Sequence, residues 1–270
     1  MFQNYLIPFL LTLIAGLSTG IGSALAFFTK KTNTKVLSFS LGLSAGVMIF
    51  ISLVDLLPEA REEIYSYLND ESLSFLITII AFFIGVFITA LIDKLIPECE
   101  NPHEIHLAEE MEDKKKAIKC KKLLRLGLFT AIAIAIHNLP EGLITFVGAV
   151  KDVSLGISLC VAIAIHNIPE GIAVSIPIYY ATGSKKKAFV YSFLSGLTEP
   201  LGAVIGFVIF SSFLNGLIIG SLFAFVAGIM IFISFDELLP ASEKYGEHHL
   251  SLYGIITGMV VISISLLLLG

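Results

Sequence analysis

Two six-residue boxes carry the groups most able to do chemistry: HNLPEG, holding His137, Asn138, Pro140 and Glu141, and HNIPEG, holding His166, Asn167, Pro169 and Glu170. On a helix, positions i and i+4 share a face. His137 can therefore point with Glu141, and His166 with Glu170. Two such pairs set face to face offer two imidazoles and two carboxylates, a shell suited to a borderline divalent cation. Asn138 and Asn167 sit one residue further on, about 100° around the helix. They line an adjacent position, which Glu199, in the stretch SGLTEPLGA (Ser195–Ala203), can join. The pattern predicts two neighbouring metal positions bridged by carboxylates. A structural hydrogen-bond pair or a metal-free proton relay are the competing uses of such residues. Neither needs two copies of the box plus Glu199. Pro140, Pro169 and Pro200 leave the carbonyls of Ile136, Ile165 and Gly196 without their helical donors, which opens the backbone beside these side chains.

The elements that must position these groups are apolar. Hydrophobic residues make up 56% of the 270, charged residues 14%, and the mean hydropathy is +0.91. A soluble domain carries about 25% charged residues. Eight runs are long enough to span a bilayer, near 5–28, 36–57, 73–96, 123–149, 153–181, 187–212, 215–240 and 250–269. They are apolar all round, without the ten-residue alternation of a membrane barrel. The predicted fold is an all-α polytopic membrane protein forming one transmembrane domain over residues 1–270, with a loop at 97–122. Met1–Tyr5 carries no positive charge and the first run exceeds a signal-peptide core, so that run is expected to be a span. Cys99, Cys120 and Cys160 form no CxxC pair and imply no disulfide. Cys160 lies about 120° from the face of His166 and is expected to serve packing.

Fifteen of the seventeen Lys and Arg residues fall on one side, in the loops between predicted spans 1–2, 3–4, 5–6 and 7–8 or at the span ends beside them; the other side has Arg61 and Lys151. The positive-inside rule then places the 3–4 loop in the cytosol and both termini outside. Two gapless repeats stand out. Ala45–Pro58 (AGVMIFISLVDLLP) matches Ala227–Pro240 (AGIMIFISFDELLP), and Ala133–Gly142 matches Ala162–Gly171. Each pair lies on spans of opposite direction, giving an inverted 3+2+3 arrangement of the kind that places a transporter's site near the midplane. The expected motion sets spans 1–3 and 6–8 against spans 4 and 5. Gly16/Gly20, Gly42/Gly46 and Gly202/Gly206 permit close helix packing.

The paired HNxPEG boxes with SGLTEPLGA resemble the ZIP (Zrt-, Irt-like protein) family, especially its bacterial ZupT-type members, over nearly the whole chain. The resemblance implies Zn²⁺ uptake into the cytosol, with Fe²⁺, Mn²⁺, Co²⁺ or Cd²⁺ tolerated, across the cell membrane. It implies a first metal position of His137, Glu141, His166 and Glu170. Asn138, Asn167 and Glu199 would make the second, with Glu141 and Glu170 bridging. The chain is thus expected to be a transporter rather than an enzyme, without a cofactor. Its expected partners are divalent metal ions and membrane lipid, not nucleic acid, and a homodimer is compatible with the sequence. No nucleotide-binding motif points to ATP as the energy source. The alternative is an intramembrane metal-dependent hydrolase, although no HExxH is present. Asp55, Asp236 and Glu237, at the repeat ends, are candidate gate ligands or solvated helix ends. His103, His106, His248 and His249 are candidate metal contacts in segments more readily read as solvated.

Overall fold

The computed structural model describes residues 3–26, 34–95, 116–210, 215–245 and 248–269, and among these every extended element is helical. In chain order they are α1 (Gln3–Ala26), α2 (Thr34–Ile51), α3 (Leu57–Leu68), α4 (Glu71–Leu95), α5 (Lys116–Lys151), α6 (Val153–Thr182), α7 (Lys185–Gly196), α8 (Thr198–Phe210), α9 (Gly216–Ile233), α10 (Leu239–Tyr245) and α11 (His248–Leu269). A helix satisfies its own backbone polar groups, which is what lipid demands.

Seven helical stretches among the described residues are long and apolar enough to cross a membrane, against the eight spans predicted. The difference is the run at 123–149. It lies within α5, many of whose side chains fall outside the described residues. The helix also begins earlier than expected, so Lys116–Lys122 are helical rather than loop. His103 and His106 lie outside the described residues. Large apolar side chains face outward in numbers no water-soluble surface carries; on α4 alone Phe75, Leu76, Phe83, Phe87 and Leu91 do so. The protein is a multi-pass membrane protein.

α2 and α9 hold the two ends of the long repeat, and each runs on through one widened π turn, Ser52–Leu56 and Ser234–Leu238. The cause is the proline shortly after. Pro58 and Pro240 would clash with the carbonyls of Val54 and Asp236 in a regular helix. One extra residue per turn relieves this: Leu57 N–H bonds Ser52 O, and Leu239 N–H bonds Ser234 O. Such bulges are rare and frequent at functional sites.

Glycines set the closest approaches. A Cβ on Gly42 or Gly46 of α2 would overlap the carbonyls of Ser251 or Ile255 on α11. A Cβ on Gly228 of α9 would overlap that of Phe82 on α4. Around the boxes, a Cβ on Gly142 would overlap Glu199 O, and one on Gly171 would overlap Thr19 O. Helices α1, α5, α6, α7 and α8 therefore interlock at backbone level. The expected grouping of spans 1–3 against spans 4 and 5 does not match this packing, because α1 sits hard against α6.

Candidate metal centre

α5 and α6 form an antiparallel hairpin. Asp152 caps α6 by accepting from Ser154 N at 2.6 Å and Leu155 N at 3.4 Å. The hairpin brings the two boxes side by side from opposite directions. The predicted span at 187–212 is broken at Leu197, between α7 and α8. Pro200 cannot donate to Gly196 O, and the break puts Glu199 in the first turn of α8. A helix N-terminus favours an anion there.

Asn138, Glu141, Asn167 and Glu199 are fully buried, and His166 and Glu170 nearly so. His166 Nε2 lies 2.6 Å from Glu170 Oε1, the expected i,i+4 pair. Its Nδ1 is 2.7 Å from Ser44 Oγ on α2. With Nδ1 engaged by Ser44, Nε2 is the nitrogen turned toward the carboxylate, and an imidazole so held is oriented for a ligand. Asn167 Nδ2 donates to Glu199 Oε1 and, at 3.0 Å, to Ala15 O on α1. Its donors are thereby used. Asn167 Oδ1 and Glu199 Oε2, both buried acceptors, have no hydrogen-bond partner among the described residues. Glu141 and Glu170 are both electrostatic neighbours of Glu199. Carboxyl groups gathered in a low-dielectric interior can ionise together only beside a counter-cation. The buried acceptors of α5, α6 and α8 thus lie near one another without a described Lys or Arg, and their donor types suit a divalent cation.

Among the described residues no three His, Cys, Asp or Glu side chains close on one point at ligating distance. The His137 side chain lies outside the described residues; its backbone is one turn before Glu141 in α5. Cys160 is buried and donates to Leu11 O at 3.2 Å, consistent with packing. His249 is exposed and stacks on Tyr253. Asp236 is exposed and Asp55 half-buried in its π turn. Glu237 and Asp93 line a cavity of ≈ 120 Å³ that reaches Pro140.

Sequence reading missed Ser44. Its signal is where the long repeat stops matching: Ser44 stands directly before Ala45, but Val226 stands before Ala227. Replacing Ser44 by alanine removes one hydrogen bond to a buried ring, about 1 kcal/mol. We expect affinity for a divalent cation to fall about tenfold, with Ser44→Thr keeping it, as read by titration calorimetry.

Fold and site together define a polytopic helical membrane protein with a buried imidazole, carboxamide and carboxylate cluster. The ZIP Zinc transporter family model matches residues 5–123 and 97–266. The chain is similar to the protein named Zinc transporter ZupT in three bacteria. The Oceanobacillus iheyensis relative is 57% identical over 268 residues, covering 99% of this chain and 100% of that one. The Clostridium perfringens relative is 56% identical over 277 residues (98% and 97%), and that of Streptococcus mutans is 58% identical over 268 (99% of each). The chain belongs to the ZIP zinc transporter family. Membership of a family of transporters sets aside the intramembrane hydrolase.

Proposed function

We propose that this protein takes divalent metal, foremost Zn²⁺, into the cytosol across the cell membrane through a two-metal site at its centre. The carrying observation is the burial of Glu141, Glu170 and Glu199 beside His166, Asn138 and Asn167 with carbonyl-type and carboxylate acceptors left over. His137, Glu141, His166 and Glu170 hold the first ion. Asn138, Asn167 and Glu199 hold the second, and Glu141 and Glu170 bridge. The relatives' names support zinc as the substrate. Fe²⁺, Mn²⁺, Co²⁺ and Cd²⁺ fit the same donor set.

The whole chain acts as one transmembrane domain, as a monomer or homodimer, with α5 as the eighth span. The basic-residue asymmetry then puts both termini outside and the 97–122 loop in the cytosol. Asp55 sits toward the outer mouth. The cavity lined by Asp93 and Glu237 lies on the cytosolic side of Pro140 and gives the ion a carboxylate-lined way off. The interlocked group α1, α5, α6, α7 and α8 moves against α2–α4 and α9–α11. This replaces the motion expected from the repeats alone. The groups meet through side chains: an apolar core shared by α2 and α9 with α5 and α6, Ser44 to His166, and Lys151 at the end of α5 to Glu59 and, at 2.6 Å, Glu63 of α3.

Purified protein in liposomes loaded with a fluorescent metal indicator should give saturable Zn²⁺ influx, competed by Mn²⁺ and Cd²⁺. Flux equal to protein-free liposomes overturns the proposal. A disulfide between Glu59→Cys and Lys151→Cys, in a background without the other cysteines, should cut flux about tenfold or more, and reductant should restore it. Undiminished flux in the oxidised pair refutes the motion.

A further inference from the structure

Glu199 has a counterpart on α1. Gly16–Gly22 (GLSTGIG) aligns without a gap on Gly196–Gly202 (GLTEPLG), and the alignment places Thr19 on Glu199. The packing repeats in the same register. A Cβ on Gly22 would overlap Ile168 O, and one on Gly202 would overlap Leu139 O; Ile168 and Leu139 fill the variable position of the two boxes. A Cβ on Gly171 would overlap Thr19 O as one on Gly142 would overlap Glu199 O. Even a local bond recurs: Ser18 Oγ donates to Ala15 O at 2.6 Å, and Thr198 Oγ1 donates to Ser195 O at 2.6 Å. α1 thus lies on α6 as α8 lies on α5. Glu199 reaches across from α8 to Asn167 on the far helix of the hairpin. The same operation carries Thr19 from α1 toward Asn138.

The hydroxyl of Thr19 is in an unusual position. Thr12 and Thr145 bond the carbonyl four residues back, Pro8 O at 3.0 Å and Glu141 O at 2.9 Å, as helical threonines commonly do. For Thr19 that carbonyl is Ala15 O, which already accepts from Ser18 Oγ and Asn167 Nδ2. Thr19 is fully buried and its Oγ1 has no hydrogen-bond partner among the described residues. A buried hydroxyl left so carries a desolvation cost unless a ligand meets it.

Resting on the two-metal reading above, we propose that Thr19 is a further residue of the metal site: its hydroxyl, which lies against Gly196 one turn before Glu199, supplies an oxygen to the second metal position from α1. It supplies a neutral donor where the repeat places a carboxylate on the other side. A divalent ion there meets Glu199, Glu141 and Glu170 but no fourth charge, which favours release over trapping, as conduction requires.

The test replaces Cys99, Cys120 and Cys160 by alanine and adds Thr19→Cys. Purified protein is titrated with Cd²⁺. A cadmium–thiolate charge-transfer absorption should develop, and the preference for Cd²⁺ over Mn²⁺ should rise about tenfold over the cysteine-free parent, because a soft thiolate replaces a hard oxygen. Leu17→Cys, on the exposed face of α1, should show neither change. Thr19→Ser should bind Zn²⁺ within about twofold of the parent, and Thr19→Val about fivefold more weakly. Glu199→Gln is measured alongside. If it loses Zn²⁺ binding while Thr19→Cys gives no thiolate band, Thr19 is outside the site and the proposed function stands. If Glu199→Gln binds Zn²⁺ like the parent, the two-metal reading fails and Thr19 with it. Should Thr19→Cys not elute as a single species, the Ser and Val variants decide, and equal affinities overturn the proposal.

Discussion

Glu199→Gln is expected to lower Zn²⁺ influx at least about a hundredfold while making the metal-free protein more heat-stable. The two effects share one cause. Glu199 is fully buried among Glu141 and Glu170, and its described hydrogen-bond partner, the Asn167 amide, satisfies only one of its oxygens. The amide keeps the shape of the carboxyl group without the cost of burying an ionisable group beside two others, so the metal-free fold is relieved. With an ion bound the same change removes a ligand, and loss of even an outer-shell partner costs about 10–100-fold. A thermal melt should therefore show a midpoint raised without metal and a smaller rise on adding Zn²⁺, since ligand stabilisation scales with affinity. Glu170→Ala removes the partner of His166 and should fall in the same range of lost flux. A Glu199→Gln protein that is less stable without metal and transports normally would mean the carboxylate braces the bundle instead.

The second large effect is steric. Gly142 closes the first box against the carbonyl of Glu199, and Gly171 closes the second against that of Thr19. Valine at either position cannot fit without parting the helices, and overpacking of this kind costs about 1–3 kcal/mol. The greater loss is geometric. Moving α8 off α5 shifts Glu199 relative to Asn167, and a displacement of about 1 Å at a site of fixed geometry can cost about a hundredfold. Gly142→Val should thus abolish most Zn²⁺ influx although no metal-binding group is altered. Gly183→Ala is the control. Gly183 has φ +65° with nothing within 4 Å of an added Cβ. Its cost is backbone strain of about 1–2 kcal/mol at a helix end far from the boxes, so stability should drop and flux per folded molecule should not. Flux assays normalised to monodisperse protein separate the two.

One pairing within the candidate site was legible in the sequence because helical periodicity is strict. The spacing of His166 and Glu170 fixes a shared face, and the structure brings them to 2.6 Å. Asn167 and Glu199 come from different helices; the sequence offered Glu199 only as a residue able to join the asparagines, and the structure makes it a hydrogen-bond partner of Asn167. What stayed hidden depends on tertiary contact. Ser44 reaches His166 from α2 across 122 positions of sequence, and no local pattern encodes that meeting. The π turns at Ser52–Leu56 and Ser234–Leu238 follow from Pro58 and Pro240, but a proline can equally kink or end a helix, and packing selects among these. The same holds for the break at Leu197, where a continuous span was expected. The grouping of α1 with α5 and α6 turns on backbone carbonyls meeting Gly22 and Gly171, and sequence shows the small residue without showing what approaches it.

X-ray absorption at the zinc edge of the purified, zinc-loaded protein tests the central claim most directly. A shell of nitrogen and oxygen at about 2.0–2.1 Å, with outer scattering from imidazole and no sulfur near 2.3 Å, is the expected spectrum, and His166→Ala should reduce the imidazole contribution. Zinc bound through sulfur, or a spectrum that His166→Ala and Glu170→Ala leave unchanged, would contradict it.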